Sequence, residues 1–216
     1  GFFEREEGKY IKLSDFRGIE NQPIKTREAI ANPNVDFRYS TSQQDFHKIP
    51  GSPIAYWVSD RVKEIFGGEK LNKVIEAKSG VMTGNDSEFL RLWSEVDFIK
   101  AGINFEKLTQ IKESRKKWFP LNKGGGYRKW YGLNEFFINL ENEGEAISTS
   151  KYNHRLREKS YYFKEGITWS ELTSGNFSSR YSKQGIVFGS TGPMCFEKER
   201  NNIFYCLALL ISKQAN

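Results

Sequence analysis

From Leu71 onward, short apolar runs alternate with glycine turns, and this rhythm limits the chain to small strands joined by tight connections. Val74 and Ile75 precede a loop at residues 79–85. Residues 89–93 read as a strand with Arg91 at its centre. Residues 135–140 read as another, closed by a turn at Glu143 and Gly144. Residues 161–163, 167–169 and 185–188 are further strand candidates, and a helix is expected within residues 105–114. The run 202–212 is apolar nearly all round, which predicts a buried helix. The sum is an α+β fold with mixed or antiparallel sheet. No tandem repeat is present.

The first seventy residues read differently. Phe2 and Phe3, a turn at Gly8 and residues 10–13 suggest a hairpin. Residues 18–49 are polar, carry Pro23 and Pro33 and lack a clear period, which predicts a connector. A helix should follow, with Ser52 as N-cap and Pro53 at the first helical position. Ile54, Trp57, Val58, Val62 and Ile65 would share one face for docking, and Gly67 and Gly68 would end it. The expected organisation is a tail and linker over 1–50, a connecting helix over 51–70 and a larger domain over 71–216. The chain starts at Gly1 without Met and stops at Asn216 just after an apolar run, so it reads as a segment of a longer polypeptide.

Residues 112–130 carry the strongest chemical signal. They hold seven cations, Lys112, Arg115, Lys116, Lys117, Lys123, Arg128 and Lys129, against one acid, Glu113. Trp118, Phe119, Tyr127 and Trp130 are threaded among them, and Gly124, Gly125 and Gly126 form the centre. Cations neutralise phosphates, rings stack on bases or pack on sugars, and glycines let a backbone approach a ligand. The same segment also reads as a basic surface loop whose rings anchor it to a core. A net charge of +6 beside 27 acids means that positive charge must be local to matter, and this segment is where it gathers. Thr83 and Asn85 sit in a glycine-flanked loop where they could meet base edges. Arg180 could pair with guanine, or serve as a surface charge. Trp169 reads as a core ring. The hydroxyls of residues 189–192 are possible phosphate donors at a tight turn.

Several chemistries are missing from the pattern. There is no phosphate loop of the Walker type and no dinucleotide fingerprint. Cys195 and Cys206 alone cannot build a structural zinc site, and two cysteines suit a reduced, cytoplasmic protein. The most apolar run is too short to span a bilayer, so no membrane partner is expected. No catalytic or metal-ligating residue is assigned. The enzymatic alternative is a metal-dependent nuclease, because Glu76 and Lys78 have the acid-x-Lys spacing that places both on one side of a strand, with Asp60 upstream. A protein-interaction scaffold built on the Ser52 helix is the other alternative.

Four blocks resemble one family. Residues 49–57 (Ile-Pro-Gly-Ser-Pro-Ile-Ala-Tyr-Trp) look like a segment that follows the catalytic domain of large adenine-specific DNA methyltransferases, the PglX-like enzymes of BREX phage-exclusion systems and their type II restriction–modification relatives. Residues 80–93, 118–132 and 162–170 agree with it. The resemblance implies an S-adenosylmethionine-dependent enzyme that methylates adenine N6 on a base turned out of the duplex. The catalytic Asn-Pro-Pro-Tyr/Phe motif of such enzymes is not here: residues 32–35 read Asn-Pro-Asn-Val. The resemblance therefore implies the tail of the methyltransferase domain, a linker and a target-recognition region, with S-adenosylmethionine bound in a catalytic domain outside this chain. Double-stranded DNA and that domain are the expected partners. Lys116, Lys117, Lys123, Arg128 and Lys129 are then expected at phosphates, Gly124 and Gly125 at a close backbone approach, Tyr127 and Trp130 as stacking rings, and Thr83, Asn85 and Arg180 at base edges.

Overall fold

The structure is a computed structural model that describes residues 7–199 and 203–212. The chain divides into two compact units, Gly1–Lys70 and Leu71–Asn216.

In the first unit, strand β1 (Gly8–Ile11) is followed by helix α1 (Asn21–Ala31), strand β2 (Arg38–Thr41), a short 3-10 turn (Gln43–Lys48) and helix α2 (Asp60–Ile65). Strands β1 and β2 pair antiparallel, with Tyr10 opposite Tyr39. The expected hairpin is thus replaced by a longer-range pairing in which Gly8 is a strand residue; Phe2 and Phe3 lie outside the described residues. The expected connector contains a helix. Pro23 is tolerated there because it falls in the first turn, and the helix is held by Ala29, fully buried, and by Lys25, which lies over the rings of Phe16 and Phe37 at 5.3 and 5.6 Å.

The expected Ser52 helix does not form. Ser52 has φ +48 and Gly51 φ +83, and the backbone turns back through Ser52 N–H to Ile49 O. Tyr56 stacks on Tyr10 at 4.8 Å and donates its hydroxyl to Ile11 O, which ties this irregular stretch to β1. The helix begins only at Asp60, after Ser59. Its Lys63 is buried, and three oxygen ligands make that charge tolerable: Asp60 at 3.0 Å, Asp45 at 3.5 Å and Thr41 at 3.4 Å.

The second unit holds strands β3 (Ile75–Lys78), β4 (Leu90–Leu92), β5 (Trp118–Asn122), β6 (Phe136–Asn139), β7 (Gly166–Trp169), β8 (Ser179–Ser182), β9 (Val187–Phe188) and β10 (Met194–Glu197), with helices α3 (Asp86–Phe89), α4 (Gln110–Ser114), α5 (Glu145–Ser148) and α6 (Ile203–Ile211). Two four-stranded sheets result, ordered β3-β10-β7-β8 and β4-β6-β5-β9. All pairs are antiparallel except β5 with β9. The α+β class with mixed sheet is as expected. Phe119, Ile138, Val187, Phe188, Met194 and Phe196 form one core cluster, drawn from strands of both sheets.

Helix α6 packs Ile203, Cys206, Leu207 and Ile211 with Ile75, Ile167 and Cys195. It is not buried all round: Phe204, Tyr205 and Leu209 are exposed, because a helix laid on one sheet face can cover only one stripe. Both thiols are free and buried, and burial pushes the Cys195 thiol up to about 12. Residues 161–163, expected as a strand, instead end a 3-10 turn at Lys159–Tyr161, and Phe163 turns away with φ +69.

The two sheets meet tightly beside β9. Val81 N–H donates to Phe188 O at 2.9 Å, and Ser190 N–H donates to Val81 O at 2.9 Å. Gly80 makes this approach possible, since a Cβ there would lie 1.9 Å from the Phe188 carbonyl oxygen. Gly80→Ala should therefore destabilise the chain by about 1–3 kcal/mol, as overpacking against an immobile backbone does. Chemical denaturation would register this as a lower midpoint at unchanged slope; an unchanged midpoint would refute it.

Candidate nucleic-acid interface

The basic run at residues 112–130 does not form one surface. Strand β5 occupies its middle, and Phe119 is fully buried there. Lys117 and Lys123 flank that strand, so at about 3.3 Å per residue they stand roughly 20 Å apart. At the first end, Lys116 donates to Ile99 O at 2.6 Å and Lys117 pairs with Glu141 at 3.4 Å. Trp118 is partly buried against Val96, Ala101 and Phe137. These groups serve the fold locally and do not join the cations beyond β5.

Residues 123–131 follow the other end and run along β8, the edge strand of its sheet. The attachment is a two-bond bridge. Trp130 N–H donates to Ser179 O at 3.1 Å, and Tyr181 N–H donates to Trp130 O at 2.8 Å. Arg128 N–H adds a bond to Ser178 Oγ at 3.3 Å. Trp130 is held at φ +73, an uncommon conformation for a side-chain-bearing residue. With the backbone turned inward, the rings face solvent: Tyr127 is 55% exposed, Trp130 59% and Tyr131 53%. Arg128 is exposed between them. Lys129 reaches back to Ile211 O at 2.8 Å and ties the segment to the end of α6.

Gly124 packs against the protein's own backbone. It is buried, has φ +85, and a Cβ there would lie 2.3 Å from Thr191 O. It allows two loops to cross. Gly125 and Gly126 are exposed.

Arg180 lies beneath this ledge and is 1% exposed. The expectation that it reaches a base edge or stands as a surface charge is corrected: its guanidinium donates to Arg128 O at 3.4 Å, and its Nε has no partner. Burial lowers its pKa from the ordinary value. Thr83 is also buried, at 4%, and its hydroxyl donates to Asp86 Oδ1 at 2.6 Å. Asn85 precedes α3 and accepts from the Ser87 hydroxyl at 2.7 Å.

Thr83 nevertheless lines a cavity of about 350 Å3, together with Val81, Gly84, Asp86, Leu90, Leu121, Lys123, Gly189, Ser190 and Thr191. Three loops far apart in sequence meet here. Lys123 forms an ion pair with Asp86, and Thr191 Oγ1 donates to Lys123 O at 2.6 Å. Burial alone would push the Asp86 carboxyl up, but hydrogen bonds from Lys123 and Thr83 outweigh it and hold the group below its ordinary range. Asp86 and Tyr131 were not singled out in the sequence; Asp86 is 37 positions from Lys123, and no spacing rule connects them.

The acid-x-Lys pair folds as its spacing requires, on one side of β3, but its groups are already engaged. Glu76 accepts from the Tyr161 hydroxyl and from Lys78 at 3.2 Å, and Lys78 also faces Glu158 at 3.8 Å. Asp60 belongs to the other unit. Among the described residues no group of three or more His, Cys, Asp or Glu side chains is placed to hold a metal ion, and no helix is long and apolar enough to cross a membrane.

The chain resembles part of a class of enzymes, the adenine-specific methyltransferases. It is 41% identical over 217 aligned residues to the adenine-specific methyltransferase PglX of Lacticaseibacillus casei (strain Zhang), which covers 97% of this chain and 18% of that protein. It is 38% identical over 211 residues to the adenine-specific methyltransferase BrxX of Escherichia coli O9:H4 (strain HS), covering 96% of this chain and 16% of that protein. The chain is thus homologous to one segment of these PglX and BrxX proteins, less than a fifth of their length, and the alignments take in both structural units. No family model matches it.

Two outcomes follow from this geometry. Arg180→Met should leave thermal stability unchanged or raise it by on the order of 1 kcal/mol, since a buried cation with no acidic partner is replaced by an apolar chain of similar length. A large loss in a melting experiment would mean that the guanidinium is better satisfied than its hydrogen bonds indicate. The Asp86–Lys123 tie should be pH-dependent in one direction. With the folded-state pKa of Asp86 depressed, the tie is complete above the ordinary carboxylate value and is lost as pH falls through the folded value, below about 4. Amide chemical shifts of Gly84 and Lys123 should move only in that acid range; a transition near pH 6 would contradict it.

Proposed function

We propose that this chain grips duplex DNA and reads its sequence for an S-adenosylmethionine-dependent, adenine-N6 DNA methyltransferase of a phage-exclusion or restriction–modification system. The methyl transfer and its cofactor belong, on this reading, to parts of the polypeptide outside these residues. The observation that carries it is the segment 123–131, bridged to the edge of β8 with Tyr127, Arg128, Trp130 and Tyr131 turned outward. Phosphate contacts fix register and base contacts give sequence. Arg128 serves the first, with Lys129 beside it, and the exposed rings pack on sugars or bases. The homology with adenine-specific methyltransferases supports duplex DNA as the partner.

The first unit supports a docking role within the same enzyme. Ile54, Trp57, Val62 and Ile65, four of the five residues expected on the docking face, are exposed, although the helix that would align them all does not form.

Fluorescence anisotropy with a labelled duplex, titrated across salt, tests the reading. The parent chain should bind with a log affinity that falls linearly with log salt. Arg128→Ala should reduce the slope by about 0.9, the contribution of one neutralised phosphate. Trp130→Ala should weaken binding at all salts with the slope unchanged. Lys116→Ala and Lys117→Ala, at the far end of β5, should leave both quantities alone. Equal effects from the two ends of β5 would refute the placement, and salt-independent binding would refute the mechanism.

A further inference from the structure

The cavity flanked by Thr83 and Thr191 has a property that the exposed ledge lacks: its rim is an acceptor beside a donor. Asp86 and Lys123 are an ion pair there, each with hydrogen-bonding capacity left over. A carboxylate offers about four lone-pair positions, and Asp86 uses one for Thr83 and one for Lys123. An ammonium has three donors, and Lys123 directs one at Asp86. The walls below are apolar, from Val81, Leu90 and Leu121. A volume of about 350 Å3 is within the range that accepts a small organic ligand, which begins at about 300 Å3.

We propose that this cavity is a receptor for adenine, with Asp86 accepting from the N6 amine and Lys123 donating to N7. For a base that stays paired and is read from the major groove of a duplex, the assignment follows from the bases themselves. Adenine alone presents a donor beside an acceptor on its major-groove edge. Guanine presents two acceptors there, one of which would face the Asp86 carboxylate. Cytosine offers only the N4 donor and leaves Lys123 unanswered. Thymine offers an acceptor and a methyl group and leaves Asp86 unanswered. The ion pair thus does what an Asn or Gln amide does on adenine, with the two halves on different loops. Thr83 keeps the carboxylate in place from beneath, a positioning role that suits its burial.

The source of the adenine is taken to be DNA, and in this the proposal rests on the function proposed above. A free adenine nucleotide shares the chemistry, so the experiment has two arms. In the first, the chain selects from a randomised duplex library. The parent should enrich a motif with an adenine that Asp86→Ala no longer specifies, with about a tenfold loss of preference at that position alone. Asp86→Asn, which keeps an acceptor, should retain the preference; Arg128→Ala, outside the cavity, should keep the same motif at lower affinity. Lys123→Met is read in the same way as Asp86→Ala should that variant fail to fold, with thermal melting as the control. In the second arm, AMP is titrated against parent and Asp86→Ala.

A parent motif that Asp86→Ala and Lys123→Met leave intact overturns the adenine receptor and spares the DNA-binding reading. No motif, but AMP binding weakened tenfold by Asp86→Ala, keeps the receptor and overturns DNA as the source. A parent that selects no motif and binds no AMP overturns both.

Discussion

The two hydrogen bonds between Trp130 and β8 carry more of the candidate interface than any other contact. An exposed edge strand presents unpaired N–H and C=O groups, and proteins must cover or blunt it. Here residues 123–131 cover the edge of β8, and they meet it through one bridge that holds Trp130 at a positive φ. Backbone at such an angle costs free energy and persists only where its surroundings enforce it. The enforcement comes from Ser178 on Arg128 N–H, from Ile211 O on the Lys129 ammonium, and from the close crossing of Gly124 over Thr191. With both main-chain polar groups of Trp130 turned to the sheet, the ring is directed to solvent. Exposure of the Trp130 ring is therefore a consequence of edge protection and not of poor packing.

Much of the second unit was legible because its signals are local. Short apolar runs broken by glycine turns located β4, β6, β7 and β9 to within a residue or two. Strand β5 was not legible, since Lys116, Lys117 and Lys123 flank it and Pro120 interrupts it; its burial is decided by β6 and β9, which pair on either side. Helix α1 was missed for a related reason. It buries only Ala29, so it has no apolar stripe to reveal it. The Ser52 helix was predicted by cap chemistry and spacing that are genuine local preferences. They lost to the stacking of Tyr56 on Tyr10, a contact between residues 46 positions apart in the chain.

The candidate site follows the same division. Arg128, Trp130 and Tyr127 are exposed, because loop residues beyond a strand end have few other partners. Thr83 and Arg180 are not, because burial overrides residue type: one hydroxyl serves a carboxylate, and one guanidinium fills space beneath a loop. The cavity was invisible in the sequence. Its walls come from three loops, and the pairing of Asp86 with Lys123 depends on α3 and the end of β5 being brought together by sheet order alone.

On the function proposed above, that arrangement separates two tasks electrostatically. A Lys–Asp pair carries no net charge, so it neutralises no phosphate, releases no counterion from a duplex and adds little to affinity that salt can screen. What it adds is direction, since its acceptor and donor must meet complementary groups or be left unpaired at a cost. Arg128 on the ledge is the opposite: an exposed cation, able to follow any phosphate, indifferent to the base attached. Both tasks fall within one stretch of chain, Lys123 at the cavity and Arg128 five residues on, with Gly124 between them pinned against Thr191. The glycine that the sequence suggests as a point of ligand approach is in this account a structural joint, which fixes the distance between the group that reads and the group that holds.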